Sequence, residues 1–277
     1  MSELAPGTLY VVSTPIGNLG DLTARATDVL RACDVVLAED TRRTRILLKH
    51  CAATTRVESV REHNEARATP RVLSRLQAGG TAALVSDAGT PLVADPGARL
   101  VAAAIAAGIP VVALPGPSAL LAALVVSGLP AETFTFFGFV PRRGGDRTRL
   151  IETLGTLAHT AVCYESPERV AGTLAAWDQA GLGTRPCAVA RELTKRFEET
   201  RRGTVRELAA YYESHPPRGE IVLLIGGAAA APFDEAELSS LARRWRSEGV
   251  PARDVARRLS EDHGAPRNLA YRLAHSE

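Results

Sequence analysis

The chain has 277 residues, 45% hydrophobic and 23% charged, and its 33 basic and 31 acidic side chains leave a net charge of +2. This composition predicts a soluble globular protein with a real core, built as one large domain or two ordinary ones. It argues against nucleic-acid binding by bulk charge, leaving only a local basic face, and the longest apolar run (residues 119–129, interrupted by Gly128) is too short to span a bilayer.

Apolar, β-branched segments alternate with helically spaced ones from the start. "TLYVVS" (8–13) reads as a strand, "DLTARATDVLRAC" (21–33) as a helix capped by Asp21, and "VVLAE" (35–39) as a strand. A short helix (41–50), a strand (55–60) and a helix over 65–80 with a glycine stop follow. "TAALVS" (81–86), another helix and "PVVALP" (110–115) complete five β-α units, the rhythm of a parallel sheet wrapped by helices. "PGPSALLAALVVSGLP" (115–130) enters a buried helix with Ser118 near its N-cap and marks the passage into a second half.

That half has a different rhythm. "FTFFGFV" (134–140) and "TAVCYES" (160–166) are strands around a helix from about Arg147, and "SPERVAGTLAAW" (166–177) is a helix with Ser166 as cap and Pro167 in its first turn. "PCAVAREL" (186–193) and "EETRRGT" (198–204) read as antiparallel neighbours, "TVRE" (204–207) as a capping box, and "EIVLLIGG" (220–227) as a central strand. After "AAAAPF" (228–233), a linker by composition, the chain turns purely helical, with a helix–turn–helix look over 248–273 about Gly264. Either a structural cap or an RNA-facing module fits this tail. The expected organisation is an N-terminal α/β domain (1–116), a C-terminal mixed-sheet α/β domain (117–229) and a helical tail (234–277).

The N-terminus lacks a basic stretch ahead of an apolar run, so no secretory leader is expected. Four scattered cysteines (Cys33, Cys51, Cys163 and Cys187) form no C-x-x-C pair and read as reduced, buried thiols of a cytoplasmic protein.

The densest chemistry lies in "SDAGTPLVADPG" (86–97), at the carboxyl end of a strand, where ligands of open parallel sheets bind. Its small residues let a ligand approach the backbone, which favours Ser86, Asp87, Ala88, Gly89 and Thr90 as pocket residues. Asp95, with Pro96 after it, is read as the cap of the next helix. No G-K-[ST] triplet exists for a Walker loop, and neither His nor Glu helps the two acids toward a metal site, so no metal is expected. "STPIGNLGDL" (13–22) is a second glycine-bearing loop, either a structural turn or part of the cleft; it is neither G-x-G-x-x-G nor the acidic loop of common Rossmann methyltransferases.

"AEDTRRT" (38–44) and "REHNEA" (61–66) bring Asp40, Arg42, Arg43 and His63 to the same side of the sheet. His63 is a base, a nucleotide contact or a solvated loop residue. "PRRGGDRTR" (141–149) places four arginines on a glycine-softened loop, an RNA-backbone grip or an exposed loop. Lysine occurs only at Lys49 and Lys195 in this arginine-rich chain, which singles out Lys195 as a position where an ammonium is wanted.

The ordered motifs "YVVSTPIGNLGDLT", "AEDTRRT", "EHNE", "SDAGTPLVADPG", "PGPSALLAAL", "FFGFVPRR", "YESPERV", "ARELTKRFEE", "RGTVREL" and "GEIVLLIGG" resemble the ribosomal RNA small subunit methyltransferase I family, within the tetrapyrrole methylase superfamily. The resemblance runs over essentially the whole chain. It implies two α/β domains with S-adenosyl-L-methionine in the cleft between them, commonly in a homodimer, and 2′-O-methylation of a decoding-centre cytidine in 16S rRNA of the 30S subunit. By motif position the cofactor contacts are Ser86, Asp87, Ala88, Gly89, Thr90, Pro91, Ser118, Ala119, Tyr164, Glu165, Leu193, Glu220 and Ile221. Arg42, Arg43, Arg142, Arg143 and Arg147 are the candidate RNA contacts. The G-x-G-P-G-D loop of tetrapyrrole-acting members is replaced by "STPIGNLGD", which disfavours the alternative of a small-molecule tetrapyrrole methylase. Lys195, its pKa depressed by burial or by neighbouring arginines, is the candidate to take the hydroxyl proton or steady the alkoxide, with Asp40 and His63 in reserve.

Overall fold

The computed structural model describes residues 4–228 and 234–276, so the linker read at 228–233 lies almost wholly outside the described residues. The chain forms two compact units, Met1–Gly227 and Ala228–Glu277.

The first half of the larger unit alternates strand and helix as its sequence predicts: β1 (Leu9–Val12), α1 (Ala24–Ala32), β2 (Val35–Ala38), α2 (Thr41–His50), β3 (Arg56–Ser59), α3 (Glu65–Gln77), β4 (Ala82–Val85), α4 (Ala98–Ala106) and β5 (Val111–Leu114). All five strands are parallel, in the order β3-β2-β4-β1-β5. β1, β2 and β4 are fully buried, and one sheet face packs on α1 and α2, the other on α3 and α4. Burial on both faces explains their unbroken apolar runs.

The second half comprises α5 (Ala119–Ser127), β6 (Phe134–Phe139), α6 (Gly145–Thr156), β7 (Thr160–Glu165), α7 (Val170–Trp177), β8 (Pro186–Arg191), β9 (Glu199–Thr204), α8 (Val205–Ser214) and β10 (Ile221–Ile225). Its sheet runs β6-β7-β10-β8-β9, parallel only between β6 and β7 and antiparallel elsewhere, with β10 at the centre. One face carries α6, α7 and α8. The other carries α5 together with Ile16, which comes from the loop after β1 and is buried in this second core. Thr204 and Glu207 form the reciprocal capping box that "TVRE" predicts.

Three caps differ from their sequence reading. Thr23, not Asp21, caps α1, because 19–21 is taken up by a 3₁₀ turn capped by Asn18. Pro167–Arg169 is likewise a 3₁₀ turn, and α7 starts only at Val170. Most consequentially, α4 opens at Gly97 (φ 120°), where a β-carbon would sit 2.8 Å from Leu84 Cδ2, and Asp95 caps nothing.

The smaller unit contains α9 (Glu235–Ser247), α10 (Ala252–Glu261) and α11 (Arg267–His275), closed around Leu238, Val255, Leu259, Leu269 and Leu273. Among the described residues no helix is long and apolar enough to cross a membrane.

Candidate functional site

A cavity of about 400 Å³ opens where the carboxyl ends of the parallel strands face the second sheet. That is within the range of small-molecule sites, about 300–1,000 Å³. The first half contributes Ile16 after β1, Arg43 of α2, the loop after β4 (Asp87–Gly89 and Val93–Asp95) and Ala119 at the start of α5; the second contributes Phe139, Tyr164–Pro167, Leu193 and Gly219–Val222. A smaller cavity of about 200 Å³, bordered by Leu19, Ile46 and Ser86, shares Arg43 and Asp87 with it.

The two glycine-bearing loops are joined backbone to backbone. Thr14 N–H donates to Gly89 O (2.8 Å) and Gly89 N–H to Thr14 O (2.9 Å), with Gly89 at φ 81°. Thus "STPIGNLGDL" belongs to the cleft. Ser86 Oγ donates within its own loop, to Ala88 O (3.2 Å) or Gly89 O (3.3 Å). Thr90 Oγ1 donates to Pro117 O (3.1 Å), and Ser118 caps α5 by accepting from Leu121 N–H (3.5 Å). Of the cofactor residues expected from the motifs, Asp87, Ala88, Gly89, Ala119, Tyr164, Glu165, Leu193, Glu220 and Ile221 line the cavity, while Ser86, Thr90, Pro91 and Ser118 do not, Ser86 bordering the smaller cavity instead.

The walls are apolar and aromatic, with Tyr164 edge-on to Phe136 (4.9 Å) and Phe139 (5.4 Å between centroids). A register shift in β6 between Phe136 and Phe139 leaves Phe139 60% exposed on the wall. Four carboxylates against one guanidinium make the wall acidic. Asp87 accepts Asp40 N–H (2.9 Å) and faces Arg43 Nε at 3.7 Å. Glu165 turns its buried carboxylate onto Ser166 N–H (2.8 Å), Thr173 Oγ1 (2.7 Å) and Arg169 Nη2 (3.2 Å), which ties β7 to α7. Burial above all, then the Glu39 and Asp87 carboxylates, pushes Asp95 up to about 6 against a hydrogen bond with Ser86. Burial and then Asp87 raise Glu39 as well.

Lys195 sits beside the wall. A β-carbon at Gly17 would lie 2.4 Å from Lys195 Cγ, so the glycine lets the lysine stem cross the loop after β1. Its Nζ donates to Glu192 Oε1 (2.9 Å) and to Glu220 Oε2 (3.1 Å), a residue of the wall. Burial works to lower this ammonium, but the two carboxylates outweigh it and hold it above the ordinary lysine value. The expectation of a depressed lysine is therefore corrected: carboxylates, not arginines, surround Nζ. Glu192 and Thr194 in the same loop carry positive φ (50° and 67°).

The other candidates are dispersed. Asp40 caps α2 through Arg42 N–H (2.8 Å) and pairs with the Arg42 guanidinium (3.2 Å). His63 lies exposed in the turn before α3, outside the wall. Arg142 and Arg143 are exposed, and Arg147 donates to Gly172 O (3.1 Å). Sequence reasoning missed Ile16, Val93, Ala94, Asp95, Phe139, Ser166, Pro167, Gly219 and Val222 as wall residues, and it read Arg43 as an RNA contact although it borders both cavities. Asp95 had a readable signal, an acid inside the richest loop, and the D-P pair diverted it to a cap.

The family model for tetrapyrrole (corrin/porphyrin) methylases matches residues 8–209. A protein of Mesorhizobium japonicum named ribosomal RNA small subunit methyltransferase I is 46% identical over 265 residues, 95% of this chain and 90% of that protein. Its namesake in Synechocystis is 43% identical, over 97% of both chains. Among solved structures, a cobalt precorrin-4 methyltransferase superposes with a TM-score of 0.62 at 18% identity, covering 79% of this chain and 95% of that one. A Thermus thermophilus uroporphyrin-III C-methyltransferase in complex with S-adenosylhomocysteine gives a TM-score of 0.56 at 21% identity, over 79% and 97% of the two chains. At these identities the solved structures support the fold alone, while the full-length likeness to the curated relatives goes further: the chain belongs to the tetrapyrrole methylases and, among them, to the ribosomal RNA small subunit methyltransferase I family.

Proposed function

We propose that this protein transfers a methyl group from S-adenosyl-L-methionine to the ribose 2′-hydroxyl of a decoding-centre cytidine in 16S rRNA, acting in the cytoplasm on the 30S subunit. The observation that carries this reading is the likeness to relatives named for small-subunit rRNA methylation, which spans 95–97% of the chain and so extends through the helical tail beyond the matched methylase region.

The cavity suits the cofactor. Its aromatic and aliphatic walls offer apolar surface, its carboxylates complement a cation, and at Gly89 a β-carbon would project toward Ile16 Cγ2 at 3.4 Å, narrowing the backbone approach. When bound, S-adenosyl-L-methionine supplies an electrophilic methyl carbon on a sulfonium. The chain's part is to align the acceptor and exclude water. Asp87, held by Arg43 and the Asp40 amide, is a fixed negative wall. Lys195, kept cationic by Glu192 and Glu220, steadies the developing oxyanion. Asp40 and His63 stand further off as alternative catalytic groups. Arg42, Arg43, Arg142, Arg143 and Arg147 contact the RNA backbone.

In this reading residues 1–116 and 117–229 are the two cofactor-holding domains, and residues 234–277 assist in gripping rRNA. The protein acts as a homodimer. Supporting that, α5 is apolar all round, with Leu121 50% and Val125 75% exposed; light scattering that gives a monomer at micromolar concentration would refute it.

The deciding experiment maps ribose methylation on 16S rRNA from cells with and without the protein. Loss of one 2′-O-methyl cytidine on deletion, restored by the purified protein, is expected. Methyl label appearing on a corrin or porphyrin and never on 16S rRNA would overturn the reading.

A further inference from the structure

Away from the cavity, α11 presents a surface whose chemistry methyl transfer itself does not use. The helix buries Leu269, Ala270, Leu273 and Ala274 in the core of the smaller unit. At that spacing its other side chains, Arg267, Asn268, Tyr271, Arg272 and His275, fall on a single stripe, and all five are exposed. Each can donate a hydrogen bond, and none is an acid. Residues 234–277 carry eight arginines and eight acids, so the acid-free stripe belongs to this helix and not to the unit. α9 holds Glu235 and Glu237 in its first turn, and α10 holds Asp254.

Tyr271 stands at the middle of the stripe. It is 62% exposed, the one exposed large hydrophobic side chain of the smaller unit among the described residues. Its ring rests against that of His275, with centroids 4.1 Å apart and planes tilted by 32°, and His275 Nδ1–H donates to Tyr271 O (2.9 Å). An aromatic pair held at the surface in this way is a stacking platform that needs little ordering when a planar group lands on it.

Cations flank the platform. Arg267, one turn before Tyr271, forms no ion pair among the described residues. Arg272 meets Glu235 Oε1 at 2.6 Å, with the two side chains 63% and 57% exposed. An ion pair so exposed contributes little and exchanges readily for a phosphate. Asn268 adds a donor and an acceptor suited to a base edge. The stripe offers no exposed aliphatic side chain around which a protein partner could build an apolar interface. The deep, narrow major groove of duplex RNA shuts out side chains, whereas unpaired bases splay onto aromatic rings.

We propose that the outer face of α11 binds an unpaired stretch of the substrate RNA, one base stacking on the Tyr271 ring and the Arg267 and Arg272 guanidiniums taking the neighbouring phosphates. The proposal deepens the reading in which the tail grips 16S rRNA, and it rests on that reading for the identity of the RNA.

The test uses the full-length chain and two labelled probes, single-stranded oligouridine and an RNA duplex of equal length, read by fluorescence anisotropy over a range of salt. A second arm measures methylation of unmethylated 30S subunits. Wild type is compared with Tyr271→Ala, Tyr271→Phe, Arg267→Ala and Arg243→Ala, the last removing an exposed arginine of α9 that lies off this stripe. Tyr271→Ala should weaken oligouridine binding about tenfold at every salt concentration, the loss of one stacked base, while Tyr271→Phe stays within about twofold of wild type. Arg267→Ala should lower the slope of log affinity against log salt by about 0.7, the loss of one single-strand phosphate contact. Tyr271→Ala and wild type should bind the duplex alike. On 30S subunits Tyr271→Ala should raise KM about tenfold and leave kcat and S-adenosylhomocysteine affinity unchanged.

Oligouridine binding that is absent in wild type, or undiminished in Tyr271→Ala, overturns the proposal. So does a salt slope that falls equally in Arg243→Ala and Arg267→Ala, the mark of diffuse charge attraction. A raised KM on 30S subunits with RNA affinity untouched overturns it as well, since the face would then meet a ribosomal protein. Should Tyr271→Ala melt the tail, Tyr271→Leu decides, because leucine suits the helix and cannot stack: a loss of about tenfold supports the proposal, and wild-type affinity overturns it. Wild type that methylates no ribose refutes the functional reading, while Tyr271-dependent binding of oligouridine by the same protein still upholds this surface.

Discussion

Gly219→Ala tests whether the loops beside the cavity are held by the Glu192–Lys195 clasp. Gly219 sits at φ 87°, and a β-carbon there would meet Glu192 Oε1, Cδ and Cγ at 2.2–2.5 Å. The left-handed backbone alone costs a residue with a β-carbon about 1–2 kcal/mol. The Glu192 side chain can swing away, but doing so breaks its bonds from Lys195 Nζ (2.9 Å) and Glu220 N–H (3.1 Å). Charge-assisted hydrogen bonds contribute about 1.5–3 kcal/mol when buried; with Lys195 28% and Glu192 19% exposed, about 1 kcal/mol each is the fitting figure. The sum is about 3–4 kcal/mol, or roughly 6–15 °C in Tm for a unit of this size. Gly108→Ala is the matched control, because Gly108 has φ 70° and open space around it, so only the backbone cost of about 1–2 kcal/mol applies. Differential scanning calorimetry of the two variants, with S-adenosylhomocysteine affinity measured alongside, separates the contributions. Equal melting temperatures and unchanged product affinity for Gly219→Ala would refute the clasp.

Three further outcomes follow from other parts of the molecule. Arg185, 7% exposed, donates Nε to Gly226 O (2.8 Å) and also bonds Leu154 O, so Arg185→Ala should destabilise by about 3 kcal/mol in urea titration; a loss below 1 kcal/mol would contradict that role. Burial pushes Cys163 and Cys187 each up to about 12, so both thiols should resist Ellman's reagent at pH 8 until the chain unfolds. Asp34 accepts from Thr81 N–H (2.7 Å) and Oγ1 (2.8 Å), bonds that hold it below the ordinary aspartate value. Its stabilisation, about 1 kcal/mol, is present above the unfolded pKa and lost as pH falls through the folded one. Asp34→Asn should therefore be weaker than wild type at pH 7 and nearly equal to it at pH 3.

Elements buried on both sides were the most legible in the sequence. β1, β2, β4 and β10 are unbroken apolar runs because neither face meets water, and "TVRE" fixed the start of α8 because a capping box uses only local groups. Legibility failed where a distant contact overrides a local preference. Asp95–Pro96 has the look of a helix start, yet the approach of Leu84 to Gly97 sets the entrance of α4. The proton affinity of Lys195 turns on Glu192 and Glu220, and Glu220 lies 25 residues away. Phe139 lies within the quoted "FFGFVPRR", but its place on the wall goes with a register shift that no spacing announces.

Ile16 restricts how this molecule can open. It leaves the first sheet on the loop after β1 and ends among Ala188, Ala190, Val222 and Leu224 of the second. A hinge motion that parted the two halves would pull this side chain into water, which makes wholesale gaping an expensive way to admit a ligand. The wall segments outside both sheets, the stretch from Val93 to Asp95 and the turn around Leu193, are then expected to move as a ligand enters or leaves while the sheets stay joined. Exchange rates of backbone amides should then be fast in those two segments and slow along β1 and β10, with no shared slow opening of the two sheets.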